Sequence, residues 1–415
     1  MLIKRILPLI LVPLSPVLMY AQVTTSNISG TVTSASGPLA GATVTVIHQP
    51  TGATFHTTTL NKGVYNVVNL TPGGPYRIEV SHVGLQKFTQ DSIFLALGEN
   101  TRIDASLAAS GSTLAEVVVT TTGATGARRK TGASTSISRE QIAALPTLNR
   151  SLSDYTRLTP QANGNSFGGA SNRFNNITID GAVNNDVFGL ASSGTPGGQA
   201  GSTPISLDAI QEIQVVLAPY DITYGNFTGG GVNAVTRSGT NKFDGSVYYF
   251  FRNENTIGSD PVTKIKSTAF SDKQYGARFG GPIIKNKLFF FVNAELTRRT
   301  APTQFNAGDQ GSLLSVDEAR GLADTLSKRY GYDAGSYDAF NSKTESNKLF
   351  GRLDWIINDK HHLTVRHNYI KAFDDNISRS STLFRFGNDA YRFNNSQNIT
   401  VAELRSRFSS SLSNN

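Results

Sequence analysis

Apolar and polar side chains alternate along much of the chain with the two-residue period of a β-strand. Near the C-terminus, for example, Leu353, Trp355 and Ile357 alternate with Arg352 and Asp354. This pattern is typical of strands that present one apolar and one polar face. Gly, Ser, Thr and Asn are frequent between such runs and mark turns, so the chain is predicted to be mainly β.

The stretch from 210 to 252 organises the rest of the prediction. Its first part, Ile210 to Leu217, is a β-rich run consistent with a buried strand. Three glycines, Gly229 to Gly231, then allow close backbone packing or a positive φ before a second short strand at 232–236. After a polar turn the next run, 247–251, is aromatic, as a strand facing lipid would be.

Connection lengths are informative in the C-terminal segment, residues 241–415. Short links join paired apolar runs near 282–287 and 358–360, whereas long polar stretches occupy 253–273, 300–345 and 372–390. Outer-membrane barrels alternate short periplasmic turns with longer external loops in this way. The segment therefore predicts the first strands, about six, of an antiparallel transmembrane β-barrel. Helical spacing from Ser315 to Arg329 predicts a helix on the largest external loop.

A complete barrel needs more strands than this segment supplies. An open sheet has two edges of unpaired backbone groups, and each such group costs several kcal/mol in hydrocarbon. We therefore expect these 415 residues to be the N-terminal part of a longer protein with an incomplete barrel. Because a charge facing lipid at mid-depth costs roughly 2–4 kcal/mol, Arg352, Asp354 and Arg366 are expected to face the lumen.

The N-terminal part combines a targeting segment with a small β domain. Lys4 and Arg5 precede an apolar run from Ile6 to Met19, which is the pattern of a cleaved signal peptide, here residues 1–21. About seven short strands separated by turn residues then predict a β-sandwich over residues 23–108. The mature chain is expected to be exported.

Two further segments lie between the sandwich and the predicted barrel. Residues 109–126 have linker composition but contain a β-branched run, Glu116, Val117, Val118 and Val119, which can add as an extra strand to the edge of a partner's sheet. The alternative is that this run is the last strand of the sandwich. Residues 127–240 combine two short predicted helices, the first capped by Ser138 and Gln141, with short strands, which predicts an α/β domain.

Composition excludes several classes of function. The chain has no Cys, so disulfides and thiolate metal sites are excluded. The net charge is +8, but the basic residues are scattered apart from Arg128, Arg129 and Lys130, so nucleic acid is not the expected partner. A mean hydropathy of −0.21 does not indicate a protein of membrane-spanning helices.

No catalytic constellation, metal site or cofactor is predicted. Asp180 and Gly181 form a turn signal, and no His lies between 83 and 360 to complete a nucleophile relay with Asp180 or Asp186. The Asp and Asn residues also lack the spacing of a calcium loop. His361, His362 and His367 are interpreted as solvated residues beside a turn. An enzyme is therefore not expected.

The stretch from Glu212 to Thr240 resembles the junction between the plug and the first barrel strand of TonB-dependent outer-membrane receptors. Gly229, Gly230 and Gly231 belong to this junction. Asp180 and Gly181 resemble the plug motif in which a strand ends in Asp-Gly, and the extension that contains Asn184 and Asp186 looks most like the Oar-like subgroup. The Glu116–Val119 run resembles the TonB box. Residues 23–108 are similar to the carboxypeptidase regulatory-like domain, an accessory module.

The resemblance implies a receptor in the outer membrane of a Gram-negative bacterium. The domain at 127–240 would be a plug inside the barrel, surrounded by outer-membrane lipid. An unknown external ligand would bind the outer loops. A TonB-type energy-coupling protein of the inner membrane would pull on Glu116–Val119, so that a nutrient is taken up without chemical change.

Two other interpretations remain open on the sequence. One is a surface adhesin or assembly protein that holds a partner without transport. The other is that residues 241–415 form a soluble β domain rather than part of a membrane barrel. Loss of transport-dependent growth on deletion of Glu116–Val119 would separate a receptor from an adhesin.

Overall fold

The computed structural model is mainly β. It describes residues 23–109, 133–147, 150–186, 188–189, 191, 193–219, 224–262, 264, 266, 268–408 and 412–414. Among the described helices, none combines the length and the apolar character that a membrane crossing requires. Three parts follow one another along the chain, which we name the sandwich (residues 23–109), the central domain (residues 133–240) and the wall sheet (residues 241–414).

The sandwich consists of a five-stranded and a four-stranded sheet. The five-stranded sheet contains β1 (Ser26–Ser34), β2 (Gly37–Pro38), β5 (Val64–Leu70), β8 (Asn100–Arg102) and β9 (Ala105–Leu107), and the four-stranded sheet contains β3 (Thr43–His48), β4 (Ala53–Thr58), β6 (Gly73–Ser81) and β7 (Phe88–Leu95). A short 3₁₀ turn, Asn61–Gly63, precedes β5. Alternate side chains of each sheet meet in one core that includes Val44, Tyr65 and Ile78. The predicted sandwich is confirmed.

One histidine of the sandwich is buried. His48 is the last residue of β3. Its Nδ1 and Thr51 Oγ1 form a 2.7 Å hydrogen bond, and its ring packs against Tyr76 with ring centroids 4.7 Å apart. Burial, together with the nearby Arg405 and His362, lowers the pKa of His48 to about 4. The folded sandwich therefore holds a neutral imidazole.

We expect this histidine to make the sandwich sensitive to acid. In the unfolded chain, His48 binds a proton below the ordinary histidine pKa of about 6.5. In the folded chain it does so only near pH 4. Stability is thus intact above pH 6.5, falls as the pH drops from 6.5 towards 4, and loses up to about 3 kcal/mol in total. Denaturant unfolding followed at several pH values measures this loss. His48→Gln should reduce this slope, and His82→Gln, which changes a ring on the surface, should leave it unchanged; equal slopes for all three proteins would contradict the assignment.

The central domain is built on a five-stranded sheet with the order β10-β15-β16-β13-β14. Its strands are β10 (Ala133–Ser138), β13 (Asn176–Ile179), β14 (Ala182–Val183), β15 (Ile210–Leu217) and β16 (Gly231–Thr236), a small hairpin is formed by β11 (Ala162–Asn163) and β12 (Ser166–Phe167), and the helices are α1 (Arg139–Ala144) and α2 (Leu152–Thr156). Short 3₁₀ turns lie at Asn172–Phe174, Gly198–Ala200 and Leu207–Ala209. β13 runs parallel to β16, and the other neighbours are antiparallel.

Local sequence accounts for the helix boundaries of this domain. The Ser138 side chain accepts the N–H of Gln141, and the Gln141 side chain accepts the N–H of Ser138, so the predicted capping box starts α1. The second predicted helix, α2, spans only five residues. β15 and β16 are buried almost throughout because both of their faces are covered.

The wall sheet is a seven-stranded antiparallel sheet whose strands pair in chain order. Its strands are β17 (Asp244–Asn253), β18 (Ser271–Ile284), β19 (Leu288–Pro302), β20 (Asn341–Asn358), β21 (His361–Asn376), β22 (Tyr391–Arg407) and the short β23 (Ser413–Asn414). Tight turns join β18 to β19 and β20 to β21, whereas long loops follow β17, β19 and β21. The predicted alternation of short and long connections is confirmed, and the sheet is open as expected.

The loops are shorter than the polar stretches from which they were predicted. β19 runs to Pro302, β20 begins at Asn341 and β21 runs to Asn376, so strands extend into residues assigned to loops. Near these ends both faces of the sheet are polar, and alternation no longer marks a strand. The helix α3 (Val316–Tyr330) lies on the largest loop and begins with a capping box between Ser315 and Glu318, as predicted.

The two faces of the wall sheet differ in polarity. The outer face exposes large apolar side chains, including Val247, Tyr249, Phe251, Leu349 and Trp355. The inner face buries polar and charged side chains against the central domain, including Glu295, Lys348, Arg352 and Arg366. At the connection between the two parts, a Cβ on Gly239 would lie 2.3 Å from the carbonyl oxygen of Phe290, so the chain passes too close to β19 for any other residue.

Candidate functional site

The turn after β13 brings one carboxylate to the boundary between the central domain and the wall sheet. Asp180 and Gly181 have φ values of 44° and 77°, a left-handed backbone that Asp and Gly tolerate better than other residues. The Asp180 carboxylate accepts the Thr236 N–H at 2.7 Å and the Thr236 hydroxyl at 2.6 Å. Asp180 therefore joins the ends of β13 and β16.

Two arginines of the wall sheet reach the same carboxylate. Arg366 Nε lies 2.8 Å from Asp180 Oδ2, and Arg352 Nη1 lies 3.9 Å from Asp180 Oδ1. The side chains of Asp180, Arg366 and Arg352 are 9%, 2% and 5% exposed, so the cluster is shielded from water. The Arg366 contact is an ion pair rather than an aligned hydrogen bond, because the Nε–H is not directed at the carboxylate.

The arginines also bind the central domain through its backbone. Arg352 Nη1 donates to the Thr236 carbonyl at 3.0 Å, and Arg366 Nη2 donates to the Ile179 carbonyl. Arg352 is further paired with Asp354 at 2.8 Å, so two carboxylates offset two guanidinium groups. We name this group, Asp180, Thr236, Arg352, Asp354 and Arg366, the Asp180 cluster; its wall residues face inward as the alternation predicted.

A second buried ion pair joins the same two parts farther along the wall. Glu295 Oε1 lies 2.7 Å from Lys348 Nζ, and its Oε2 accepts the Ser206 hydroxyl at 2.9 Å and the Tyr248 hydroxyl at 2.6 Å. Lys348 also donates to Thr203 Oγ1 at 2.5 Å. Ser206 and Thr203 belong to the central domain, so this Glu295–Lys348 pair is a second attachment point.

The remaining predicted motif residues shape the loop that follows. Asn184 is buried, donates its N–H to the Ile177 carbonyl at 2.7 Å and its side-chain amide to Ala182. Asp186 accepts the N–H groups of Phe188 at 3.2 Å and Ala191 at 2.6 Å, which caps a turn within its own loop. Asn184 and Asp186 therefore do not share a site with Asp180.

The three predicted glycines allow close packing and do not adopt a positive φ. A Cβ on Gly229 would lie 2.5 Å from Asn175 Oδ1, one on Gly230 2.7 Å from the Phe167 ring and one on Gly231 2.8 Å from the Phe227 ring. The sequence suggested that these glycines serve either close backbone packing or a positive φ, and the structure shows close packing alone. Glu116, Val117, Val118 and Val119 lie outside the described residues.

Sequence reasoning assigned no role to Glu295, Lys348 or Ser206. Glu295 and Lys348 are charged residues at inward-facing positions of β19 and β20. Their charge at such positions is the sequence feature that could have identified them. Within the described ranges, no group of three or more His, Asp or Glu side chains is placed to hold a metal ion. His362 is packed against the sandwich, with its ring centroid 5.4 Å from that of Phe55, and is not the solvated residue that the sequence suggested.

Two parts of the chain match models of known families. Residues 27–108 match the carboxypeptidase regulatory-like domain, and residues 235–311 match the outer membrane β-barrel domain. The chain is also similar to the TonB-dependent transporter Oar of Myxococcus xanthus, with 27% identity over 236 residues, 53% of this chain and 21% of that protein. It therefore spans about a fifth of the length of the curated relative that it matches.

Solved outer-membrane proteins are similar to the chain at low identity. The outer membrane transporter YddB of Escherichia coli aligns with 66% of this chain and 37% of its own, at 14% identity and a TM-score of 0.47. A ferric enterobactin receptor of Pseudomonas aeruginosa aligns with 67% of this chain and 38% of its own, at 14% identity and a TM-score of 0.44.

Proposed function

We propose that this chain, a homologue of a TonB-dependent transporter with an outer-membrane β-barrel domain, forms the N-terminal part of an outer-membrane nutrient transporter. The observation that carries the proposal is the contact between the central domain and the wall sheet. The sheet buries its charged residues against a folded domain and exposes apolar residues on its other face, the arrangement of a plugged membrane barrel. The central domain would be the plug.

The apolar outer face of the wall sheet would be the surface that contacts lipid. Tyr249, Phe251 and Trp355 are exposed on the outer face, where water would disfavour them and lipid would not. The signal peptide at residues 1–21 and the location in the outer membrane of a Gram-negative bacterium belong to this proposal.

The external loops would hold the ligand. Arg379 joins two of them: its guanidinium donates to Asn306 Oδ1 at 2.6 Å, to the Ser336 carbonyl at 3.1 Å and to the Arg385 carbonyl at 2.9 Å. Its guanidinium also stacks on Phe384, 4.8 Å from the ring centroid. Because these contacts fix the loops relative to each other, the loop surface is preorganised for an external ligand.

We assign the coupling step to Glu116–Val119. A β-branched run in linker sequence pairs with an exposed sheet edge through main-chain hydrogen bonds. The partner would be a TonB-type energy-coupling protein that pulls on the segment and thereby moves the central domain. The rival function, a surface adhesin that holds a partner without transport, does not need this segment.

Deletion of Glu116–Val119 tests the proposal in the full-length protein. Strains would first be grown on ferric siderophores, oligosaccharides and peptides to find a nutrient whose use requires the gene. The deletion should then abolish growth on that nutrient and leave ligand binding at the cell surface intact. Deletion of Thr122–Thr125 removes the same length of linker and should be tolerated. Growth that survives the first deletion, with uptake unchanged, would favour the adhesin.

A further inference from the structure

The sandwich is attached to the wall sheet at the ends of the strands that carry the short turns. Thr24 Oγ1 donates to Glu403 at 2.9 Å, Arg405 Nη1 donates to Thr71 Oγ1 at 3.2 Å, and the Asn241 N–H donates to the Pro50 carbonyl at 2.8 Å. Ile356, from the wall sheet, packs on the hydrophobic core of the sandwich. The sandwich is therefore fixed to the part of the molecule that the membrane would hold still.

The sandwich also holds the central domain through one residue of a loop. The Leu97 N–H donates to Glu212 Oε1 at 2.9 Å, and the Leu97 carbonyl accepts from Gln214 Nε2 at 2.6 Å. Leu97, Glu212 and Gln214 are 0%, 5% and 1% exposed. We name these three residues the Leu97 clasp. Both backbone groups of one buried residue are satisfied by side chains of β15, so the attachment is dry and directional.

The clasp is adjacent to the place where the chain enters the central domain. The chain leaves the sandwich at Ala109 and next forms β10, the edge strand of the central sheet. β10 pairs with β15 from Ala133 opposite Leu217 to Ser138 opposite Glu212. Ser136 of β10 donates its hydroxyl to the same Glu212 carboxylate, so Glu212 contacts the edge strand and the sandwich together.

β10 and β15 differ in how firmly they are held. β10 contributes only Ile137 to the hydrophobic core, whereas β15 contributes Ile210, Ile213, Val215 and Leu217. A pull on the chain before Ala133 would separate β10 from β15 one backbone pair at a time. The separation would begin at the pair Ala133–Leu217 and end at the pair Ser138–Glu212. Without an opposing attachment, the hydrogen bonds to β10 would transmit part of that pull to β15.

We propose that the sandwich is a brace that ties β15 to the wall sheet through the Leu97 clasp, so that a pull on residues 110–132 removes β10 while β15 stays in place. The inference rests on the proposed function in one respect, that this segment is the one pulled. The accessory module would then set how much of the central domain opens.

Single-molecule pulling on the full-length protein in a lipid nanodisc tests the brace. Residues 1–415 contain no Cys, so Thr121→Cys can provide the handle, provided that any cysteine of the remaining chain is replaced. In the otherwise unchanged protein, the first step should release the chain from Ala133 to Ser151, about 65 Å at ~3.4 Å per residue. With Glu212→Ala, β15 should follow and the first step should lengthen several-fold, to about 290 Å for Ala133 to Leu217.

Three further variants separate the brace from a general weakening. Glu212→Gln keeps an acceptor for the Leu97 N–H and should retain the short step. Deletion of residues 23–109 removes the sandwich, leaves the sequence of the central domain unchanged and should give the long step, with no further change when combined with Glu212→Ala. Asp91→Ala breaks the exposed ion pair with Arg77, 2.5 Å in length, and should have no effect.

The outcomes distinguish the brace from the proposed function. A first step of the same length in Glu212→Ala or in the sandwich deletion would overturn the brace, because the attachment would then carry no load. Long steps in both variants would support it whether or not deletion of Glu116–Val119 stops growth. Growth that survives that deletion would instead argue against the transporter and leave the mechanical result standing.

Discussion

Replacing Asp180 with alanine is expected to lower the free energy of unfolding by about 3–5 kcal/mol, because it leaves a buried charge without its partner. The Arg366 guanidinium is 2% exposed and has Asp180 Oδ2 at 2.8 Å. Thr236 would also lose the acceptor for its N–H and its hydroxyl. The midpoint of thermal unfolding in detergent measures the loss, and protease cleavage within residues 133–240 shows whether the central domain has left the wall sheet.

Asp186→Ala is the matched control for this substitution. It also removes an Asp of the predicted motif, but that carboxylate only caps its own loop, so about 1 kcal/mol is expected. Asp180→Asn keeps an acceptor for Thr236 and removes the charge. Its loss of unfolding free energy should lie between the losses of Asp180→Ala and Asp186→Ala. Equal unfolding temperatures for Asp180→Ala and Asp186→Ala would show that the Asp180 cluster does not hold the two parts together.

Periodicity was sufficient to predict the architecture of the wall sheet. Over much of the wall sheet, apolar residues on one face of a strand alternate with polar residues on the other, and this local feature needs no knowledge of the partner strand. Strand ends could not be predicted in the same way. Residues such as Asn341 and Asn376 continue the ladder through backbone hydrogen bonds, and those bonds do not depend on side-chain alternation.

The Asp180 cluster shows where reasoning from the sequence ends. Asp180 and Gly181 were identified as a turn, and Arg352 and Arg366 as inward-facing, each from its own neighbours in the chain. That these groups would meet depends on how the central domain sits against the wall sheet, which no short-range pattern contains. The same holds for His362, which looked like a turn residue and is covered by Phe55 of the sandwich.

The glycines of the central domain illustrate a partial success. From the sequence, a run of three glycines indicated either close packing or a positive φ, and in the structure only a residue without Cβ fits there. The alternative, a positive φ, does not occur at Gly229, Gly230 or Gly231. The sequence could not choose between them, since the neighbouring Phe167 and Asn175 come from distant parts of the chain.

Lys348→Ala is expected to destabilise the protein by about 3–5 kcal/mol, for the same reason as the loss of Asp180. Glu295 is 1% exposed and would keep only the hydroxyl donors of Ser206 and Tyr248. Two neutral hydrogen bonds do not compensate a buried carboxylate. The thermal unfolding midpoint of the full-length protein in detergent measures the effect.

A double substitution separates the charge from the packing at this pair. Glu295→Gln combined with Lys348→Met removes both charges and nearly preserves volume, and replacing both members of a buried ion pair is often close to neutral. The double variant should therefore recover most of the stability that Lys348→Met alone loses, so the effects of Glu295→Gln and Lys348→Met should be strongly non-additive. If the two single losses simply add, Glu295 and Lys348 do not stabilise each other, and the loss in Lys348→Ala comes from its contact with Thr203 of the central domain.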